Sequence, residues 1–462
     1  MTEKTRLIQK DHGQQALAIH LVNAACLHDW ANTLTAVQRE ILAAQKFEGK
    51  PNQTAILAHE DGWLAVGGVA DPADLSSWCL ARLAEVLPAG TYRLADRLPG
   101  AALFGWQCAQ YVFALYKQDE KGQGPRILLT DDDDDLVNGL IAEAQATNFV
   151  RDLVNTPAQD MGPEALEAAA RKIAQEAGAD MRVTKGDALL REHPMVHAVG
   201  RAAAAGFAPR MLEIEWGDAD APRLAVVGKG VSFDSGGLDI KNSAGMALMK
   251  KDMGGAAHAL ALAALIMRHR LPVRLHCIVP AVENAISGNA FRPGDVLTSR
   301  AGKTVEITNT DAEGRLILAD ALALASEHRP DLIIDFATLT GAARVALGPD
   351  LPALMARRDE TADAFLAAGR MHDDACWRLP LPGSYRDMLK SNIADLANSA
   401  SGSFAGAITA GLFLDEFVAE DLDWVHLDTF AWRPSAKPGR PEGGAALGLR
   451  AAWRMLQQRY GR

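Results

Sequence analysis

The 462-residue chain is poor in several features that would assign it quickly. It has five cysteines, Cys26, Cys79, Cys108, Cys277 and Cys376, an odd and widely spaced set with no C-x-x-C pair. That pattern argues against a disulfide framework or a zinc knuckle and points to a reducing compartment. Apolar runs fall short of the ~18–20 residues of a membrane span. The opening MTEKTRLIQKDHGQQ is polar and lacks a signal-peptide core. A cytoplasmic protein with no membrane partner is therefore expected. Positive charge is in deficit: 47 Lys and Arg face 58 Asp and Glu, for a formal net charge of −11. An acidic surface disfavours non-specific binding to nucleic acid or anionic lipid. His59-Glu60 is followed by Trp63 rather than a second histidine, so H-E-x-x-H is missing. Gly228-Lys229-Gly230 has no earlier glycine at the spacing a P-loop needs, and there is no G-x-S-x-G elbow.

What remains is an ordinary globular composition, 48% hydrophobic and 23% charged, in a chain long enough for two or three domains. Residues 1–135 read as a smaller α/β domain in which short apolar runs alternate with Ala- and Leu-rich helical patterns, as at Thr54–Leu57, Trp63–Val66, Ser76–Glu85 and Tyr111–Tyr116. Lys117–Arg126 reads as a hairpin or connection, and Ile127–Leu129 as a strand. The five aspartates Asp131–Asp135 suit a helix N-terminus, where the helix dipole favours negative charge. Helical spacing from Leu136 to Val154 predicts a linking helix within 136–160. From 161 to 462 helices and strands alternate, with strands expected at Met181–Thr184, Met211–Trp216, Leu224–Val227, Val273–Pro280, Val305–Thr308, Leu332–Phe336 and Trp424–Leu427. This predicts an α/β fold whose mixed, mainly parallel sheet is flanked by helices.

Two clusters carry the chemistry. The first follows the apolar run Leu224–Val227. It holds Lys229, Asp234, Lys241 and Asp252, and reads as strand, polar loop and helix. The second, Asn309-Thr310-Asp311-Ala312-Glu313-Gly314-Arg315, reads as lying between a strand and a helix, with Asp311 and Glu313 on one side of extended backbone. Ligands in open α/β sheets bind at the carboxyl ends of strands. Asp234, Asp252, Asp311 and Glu313 gathered in one crevice need cations. Oxygen ligands of this kind suit Zn2+, Mn2+ or Mg2+, and four carboxylates can bridge a pair of ions. Lys241 and Arg315 could stabilise a developing oxyanion. A phosphate-binding enzyme is the alternative, and helix capping is the bland reading of either cluster alone. His258, in an Ala- and Leu-rich helix, and His426-Leu427-Asp428 are read as structural.

The segments VGKGVSFDSGG, MKKDMGGAA, ENAISGNAFRPGDVL, NTDAEGRL, DFATLTGA and GAITAGLFL, with the Lys241 segment, closely resemble the leucyl aminopeptidase (cytosol aminopeptidase) family over about residues 150–450. The resemblance implies a metal-dependent aminopeptidase, acting as a homohexamer on peptides with a free N-terminus. Two divalent ions per subunit are implied, Zn2+ or Mn2+, with Mg2+ or Co2+ as alternatives at the exchangeable site. Lys229, Asp234, Asp252 and Glu313 would hold the tighter ion, and Asp234, Asp311 and Glu313 the more exchangeable one. Lys241 would polarise the scissile carbonyl, and Arg315 would hold a bicarbonate serving as general base. Met249, Asn309, Thr338, Leu339 and Gly341 would line the pocket for the N-terminal side chain. The chain departs from the family after Asp428, where Thr429-Phe430-Ala431-Trp432 lacks the usual Ala-Gly step, so the preferred residue is not carried over. A narrow dipeptidase-like activity, for Cys-Gly for example, and an added DNA-binding role are the alternatives. The net charge argues against DNA binding.

Overall fold

The computed structural model describes residues 6–60, 62–117 and 124–461. The chain divides into two compact units, Met1–Asn148 with Ser435–Glu442, and Phe149–Pro434 with Gly443–Arg462. Among the described residues no helix is long and apolar enough to cross a membrane.

The first unit is built on a six-stranded sheet in the order Ile8–Lys10, Arg126–Thr130, Gly90–Leu94, Leu17–Val22, Gly62–Gly68, Thr54–His59. All neighbours are parallel except the last pair. The run Ser76–Glu85 becomes helical only from Ala81. Tyr111–Tyr116 forms neither helix nor strand. Val112, Leu115 and Tyr116 are exposed, so the run has no buried face to order it. Most of the connection read at Lys117–Arg126 lies outside the described residues. The acidic run precedes and opens the 22-residue helix Asp134–Asn155, where Asp133 accepts from the backbone N–H groups of Asp135 and Leu136.

The second unit centres on a nine-stranded sheet. Its path is Trp377–Arg378, Ala353–Ala356, Trp424–Asp428, Leu332–Ala337, Arg223–Gly228, Arg274–Asn284, Arg210–Trp216, Asp180–Lys185, with Gly230–Asp234 also pairing Arg274–Asn284. The central strands are parallel and antiparallel strands sit toward the edges. The sheet is mixed and mainly parallel, as the alternation of strands and helices predicts. Leu224–Val227, Leu332–Phe336 and Trp424–Val425 are almost fully buried, and helix Glu313–Glu327 packs Leu316, Ile317 and Leu318 into the same core.

Two expectations need correction. Gly230–Asp234 is a strand rather than a loop. Val305–Thr308 does not join the main sheet: the strand is Thr304–Glu306, in a separate three-stranded sheet with Val296–Thr298 and Leu396–Ala397. The second cluster therefore follows the end of a small sheet, not a strand of the central one. Two short strands, Trp432–Arg433 and Gly443–Gly444, also follow Trp424–Asp428.

Close backbone crossings fix where the site forms. The Lys229 N–H donates to Phe336 O (3.0 Å), and its carbonyl accepts from Ala256 N (2.8 Å). This clamps the end of the central strand between its neighbour and the helix Gly254–Arg268. A Cβ on Gly255 would fall 2.2 Å from Phe336 O, and one on Gly228 would fall 2.6 Å from Gly255 O. Both contacts are with backbone, which cannot swing aside. Gly255→Ala should therefore lower stability by about 1–3 kcal/mol through overpacking. A shift in the urea midpoint measures this, and an unchanged midpoint would refute the clamp.

Candidate metal centre

Lys229 is carried just past the central strand, and Asp234 ends the next strand in the chain, Gly230–Asp234, which pairs with Arg274–Asn284. Asp252 lies in the 3-10 turn Met249–Met253, and Glu313 is the first residue of helix Glu313–Glu327. All four residues are at most 3% exposed. One carboxylate oxygen from each of Asp234, Asp252 and Glu313 lies within 4.8 Å of the others. Lys229 Nζ is 2.6 Å from Asp252 Oδ2 and 3.1 Å from Glu313 Oε1, and donates to Thr338 O at 3.2 Å. A Cβ on Gly314 would lie 2.4 Å from Lys229 Cε, so the glycine after Glu313 makes room for the lysine.

Lys241 and Asp311 form the outer part. Lys241 Nζ lies 2.9 Å from Asp234 Oδ2 and also pairs with Asp311 Oδ1. Asp311 and Glu313 do not reach the site along extended backbone as expected. Asp311 lies in a turn and Glu313 is helical, with Ala312 between them at φ −114° and ψ 40°. The turn is braced from afar. Thr310 N donates to Asp239 Oδ2 (2.7 Å), Thr310 Oγ1 donates to Gly236 O (2.7 Å), and Asn309 O accepts from Asn398 Nδ2 (2.7 Å). Asn284 Nδ2 donates to Asp234 Oδ1 (2.9 Å) and to Thr310 O (3.2 Å), tying the two clusters together.

The remaining sequence candidates surround this core. Arg315, 9% exposed, donates through Nη1 to Asn398 O at 2.7 Å, and its Nε has no hydrogen-bond partner. Thr338 Oγ1 donates to Asp252 Oδ1 at 2.7 Å. Asn309 Oδ1 accepts from Asp311 N at 2.8 Å. Leu339 N donates to Asp428 Oδ1 at 3.0 Å, and Gly341 opens the helix Gly341–Leu347. Met249 begins the turn that carries Asp252. The histidines are structural, as read. His258 Nδ1 meets Gly254 O (2.6 Å) while Nε2 accepts from Leu447 N (3.0 Å), and burial holds its pKa near 4. His426 Nδ1 pairs with the buried Asp335 at 2.6 Å. Asn284, Asn398 and Asp239 escaped sequence reasoning, because each acts by bracing another residue and carries no spacing pattern of its own; Asp428, read as structural from the sequence, braces Leu339.

The donor set fits divalent cations. Four carboxylates share this space with two lysines. Burial and the neighbouring carboxylates push Glu313 up to about 8 and Asp311 up to about 6, although Lys229 and Lys241 pull them down. Burial opposes the charge on Lys229 and Lys241, but the carboxylates outweigh it and hold both amines above the ordinary lysine range. The cage thus lacks positive charge, and protons fill the deficit when no ion does. Arg315 Nε, which has no hydrogen-bond partner, likewise suits an anionic acceptor. Burial lowers its guanidinium pKa to about 10, which leaves it charged at neutral pH.

The chain is similar to known proteins over most of its length. The profile of the cytosol aminopeptidase family, catalytic domain, matches residues 148–452, and that of the M17 aminopeptidase, N-terminal domain, matches residues 17–129. The probable cytosol aminopeptidase of Roseiflexus castenholzii is 39% identical over 394 residues, covering 81% of this chain and 80% of that protein. Peptidase B of Cronobacter sakazakii is 44% identical over 320 residues, covering 67% and 74%. The crystal structure of cytosol aminopeptidase from Coxiella burnetii superposes with a TM-score of 0.93 at 44% identity, covering 99% of this chain and all of that one. The bottromycin maturation enzyme BotP in complex with Mn gives 0.87 at 32% identity, with the same coverage.

The raised carboxyl pKa values have a testable sign. Without ions Glu313 and Asp311 hold more protons in the folded protein than in the unfolded chain between about pH 4.5 and 8, so these two groups make the ion-free cage less stable as pH rises through that window. Divalent ions would replace those protons. The rise in melting temperature on adding Mn2+ should therefore be larger at pH 8.5 than at pH 6. An equal or smaller rise at pH 8.5 would contradict the charge balance.

Proposed function

Because the chain belongs to the cytosol aminopeptidase family and is a metal-dependent aminopeptidase, we propose that it removes the N-terminal residue of peptides at a two-ion centre. Lys229, Asp234, Asp252 and Glu313 would hold one ion, and Asp234, Asp311 and Glu313 the other. The observation that carries this is the convergence of three buried carboxylates and a buried lysine, with Asp311 and Lys241 at their outer edge. Bound ions would supply Lewis-acid polarisation of water and carbonyl, and an anchor for the free amine of the substrate. Zn2+ and Mn2+ suit the oxygen-rich set, with Mg2+ or Co2+ as alternatives at the outer position.

The chain supplies the rest. Lys229 must give up its proton to act as a ligand, because an ammonium has no lone pair. Lys241, partly open to the crevice, donates to the scissile carbonyl as charge develops on it. Arg315, whose Nε has no hydrogen-bond partner, would hold a bicarbonate, which would supply a general base there. Asp428 holds the segment after Thr338 through Leu339 N and Thr340 N, and Thr338, Leu339 and Gly341 would line the side-chain pocket with Met249 and Asn309. An amine anchor explains exopeptidase action, since an internal peptide bond offers no free amine. Family membership also supports a homohexamer and a cytoplasmic location.

Three outcomes follow from this reading. Peptides with a free N-terminus should be cleaved, and equal rates on their N-acetylated forms would refute the amine anchor. Lys241→Ala and Arg315→Ala should fold and retain two ions, yet lose about 10²–10³ in kcat. Metal analysis checks this, and ion loss in either variant would make that residue a ligand. Light scattering should give six times the subunit mass, and a stable monomer at micromolar concentration would exclude the hexamer.

A further inference from the structure

A third lysine touches the cage. Lys251, next to Asp252, is only 5% exposed, and its Nζ lies 3.6 Å from Asp252 Oδ1. It also sits 5.4 Å from the centroid of the Phe430 ring. Asp252 Oδ2 faces Lys229 at 2.6 Å, so the two lysines approach opposite oxygens of one carboxylate. Burial and Lys229 outweigh the attraction of Asp252, Asp428 and Asp234 and hold this amine below the ordinary lysine range. A lysine so enclosed is costly unless it neutralises something, and the carboxylate beside it is what it neutralises.

We infer that Lys251 is a positioning residue that sets the ion affinity of the centre: its buried positive charge does part of the electrostatic work of an ion. The inference rests on the reading of Asp252 as an ion ligand. Thermodynamic linkage gives its direction. A fixed cation beside Asp252 relieves carboxylate repulsion in the ion-free protein. The same cation repels an incoming dication and makes Asp252 a weaker donor. It therefore stabilises the ion-free state and weakens the bound one. Lys229 differs in that it faces the carboxylate oxygens of both Asp252 and Glu313 and can itself become a ligand.

The test uses the full-length Mn2+-loaded enzyme and three variants. Lys251→Met removes the charge and keeps the stem. Lys251→Gln does the same with a polar end and serves if the first does not fold. Lys251→Arg keeps the charge. Ion release into a chelator and melting temperature with and without Mn2+ are measured. Loss of the charge should slow release about tenfold. It should also lower the ion-free melting temperature and widen the gap between ion-free and ion-loaded forms, while Lys251→Arg stays close to the parent. Release from the neutral variants as fast as from the parent, or faster, would overturn the inference. If the parent retains no ion, it is the two-ion reading that fails.

Discussion

Repulsion among four carboxylates in one crevice is the constraint on which this structure depends. Asp234, Asp252 and Glu313 are buried, and Asp311 closes the outer side, with Lys229 and Lys241 threaded between them. Such a set is stable only if cations or protons fill the charge deficit. The fold holds the carboxylates together by means that do not yield. One carboxylate ends a strand, one rides a tight turn and one opens a helix. The backbone crossing at Gly228, Lys229 and Gly255 fixes the end of the central strand against its neighbour and the helix behind it. The ordinary α/β core supplies the stability that such a cage consumes.

Much of this was legible because the relevant signals are local. The apolar runs Leu224–Val227 and Leu332–Phe336 are buried on both faces, and runs of that kind read as parallel strands. Asp234, Asp252, Asp311 and Glu313 could be nominated because so many acids near predicted strand ends demand a reason. Gly230–Asp234 was misread since Gly, Ser and Asp signal a loop. In the structure those polar groups are satisfied at long range. Ser232 Oγ donates to Val282 O, and Asp234 accepts from Asn284, both about fifty residues away. The conformation around Asp311 was hidden for the same reason, since its braces, Asp239 and Asn398, come from distant parts of the chain. Gly314 carried a readable cue, a glycine in the first turn of a helix, but its purpose appears only when Lys229 is placed against it.

Family membership and geometry support the same account by separate routes. The relatives identify an aminopeptidase, while the charge imbalance calls for ions whatever the family. Asp428 links the two ends of the site: its carboxylate accepts from Leu339 N, Thr340 N and Thr340 Oγ1. It thereby shapes the segment beside Thr338, which in turn holds Asp252. The departure at Thr429–Trp432 follows directly on this aspartate, so differences in substrate preference from relatives would enter there without disturbing the carboxylates.

The most direct measurement is anomalous diffraction from crystals grown with Mn2+. The account predicts two strong peaks per subunit, both bounded by Asp234 and Glu313. One would be in contact with Lys229 Nζ and Asp252, the other with Asp311. A single peak, or peaks away from these carboxylates, would contradict it.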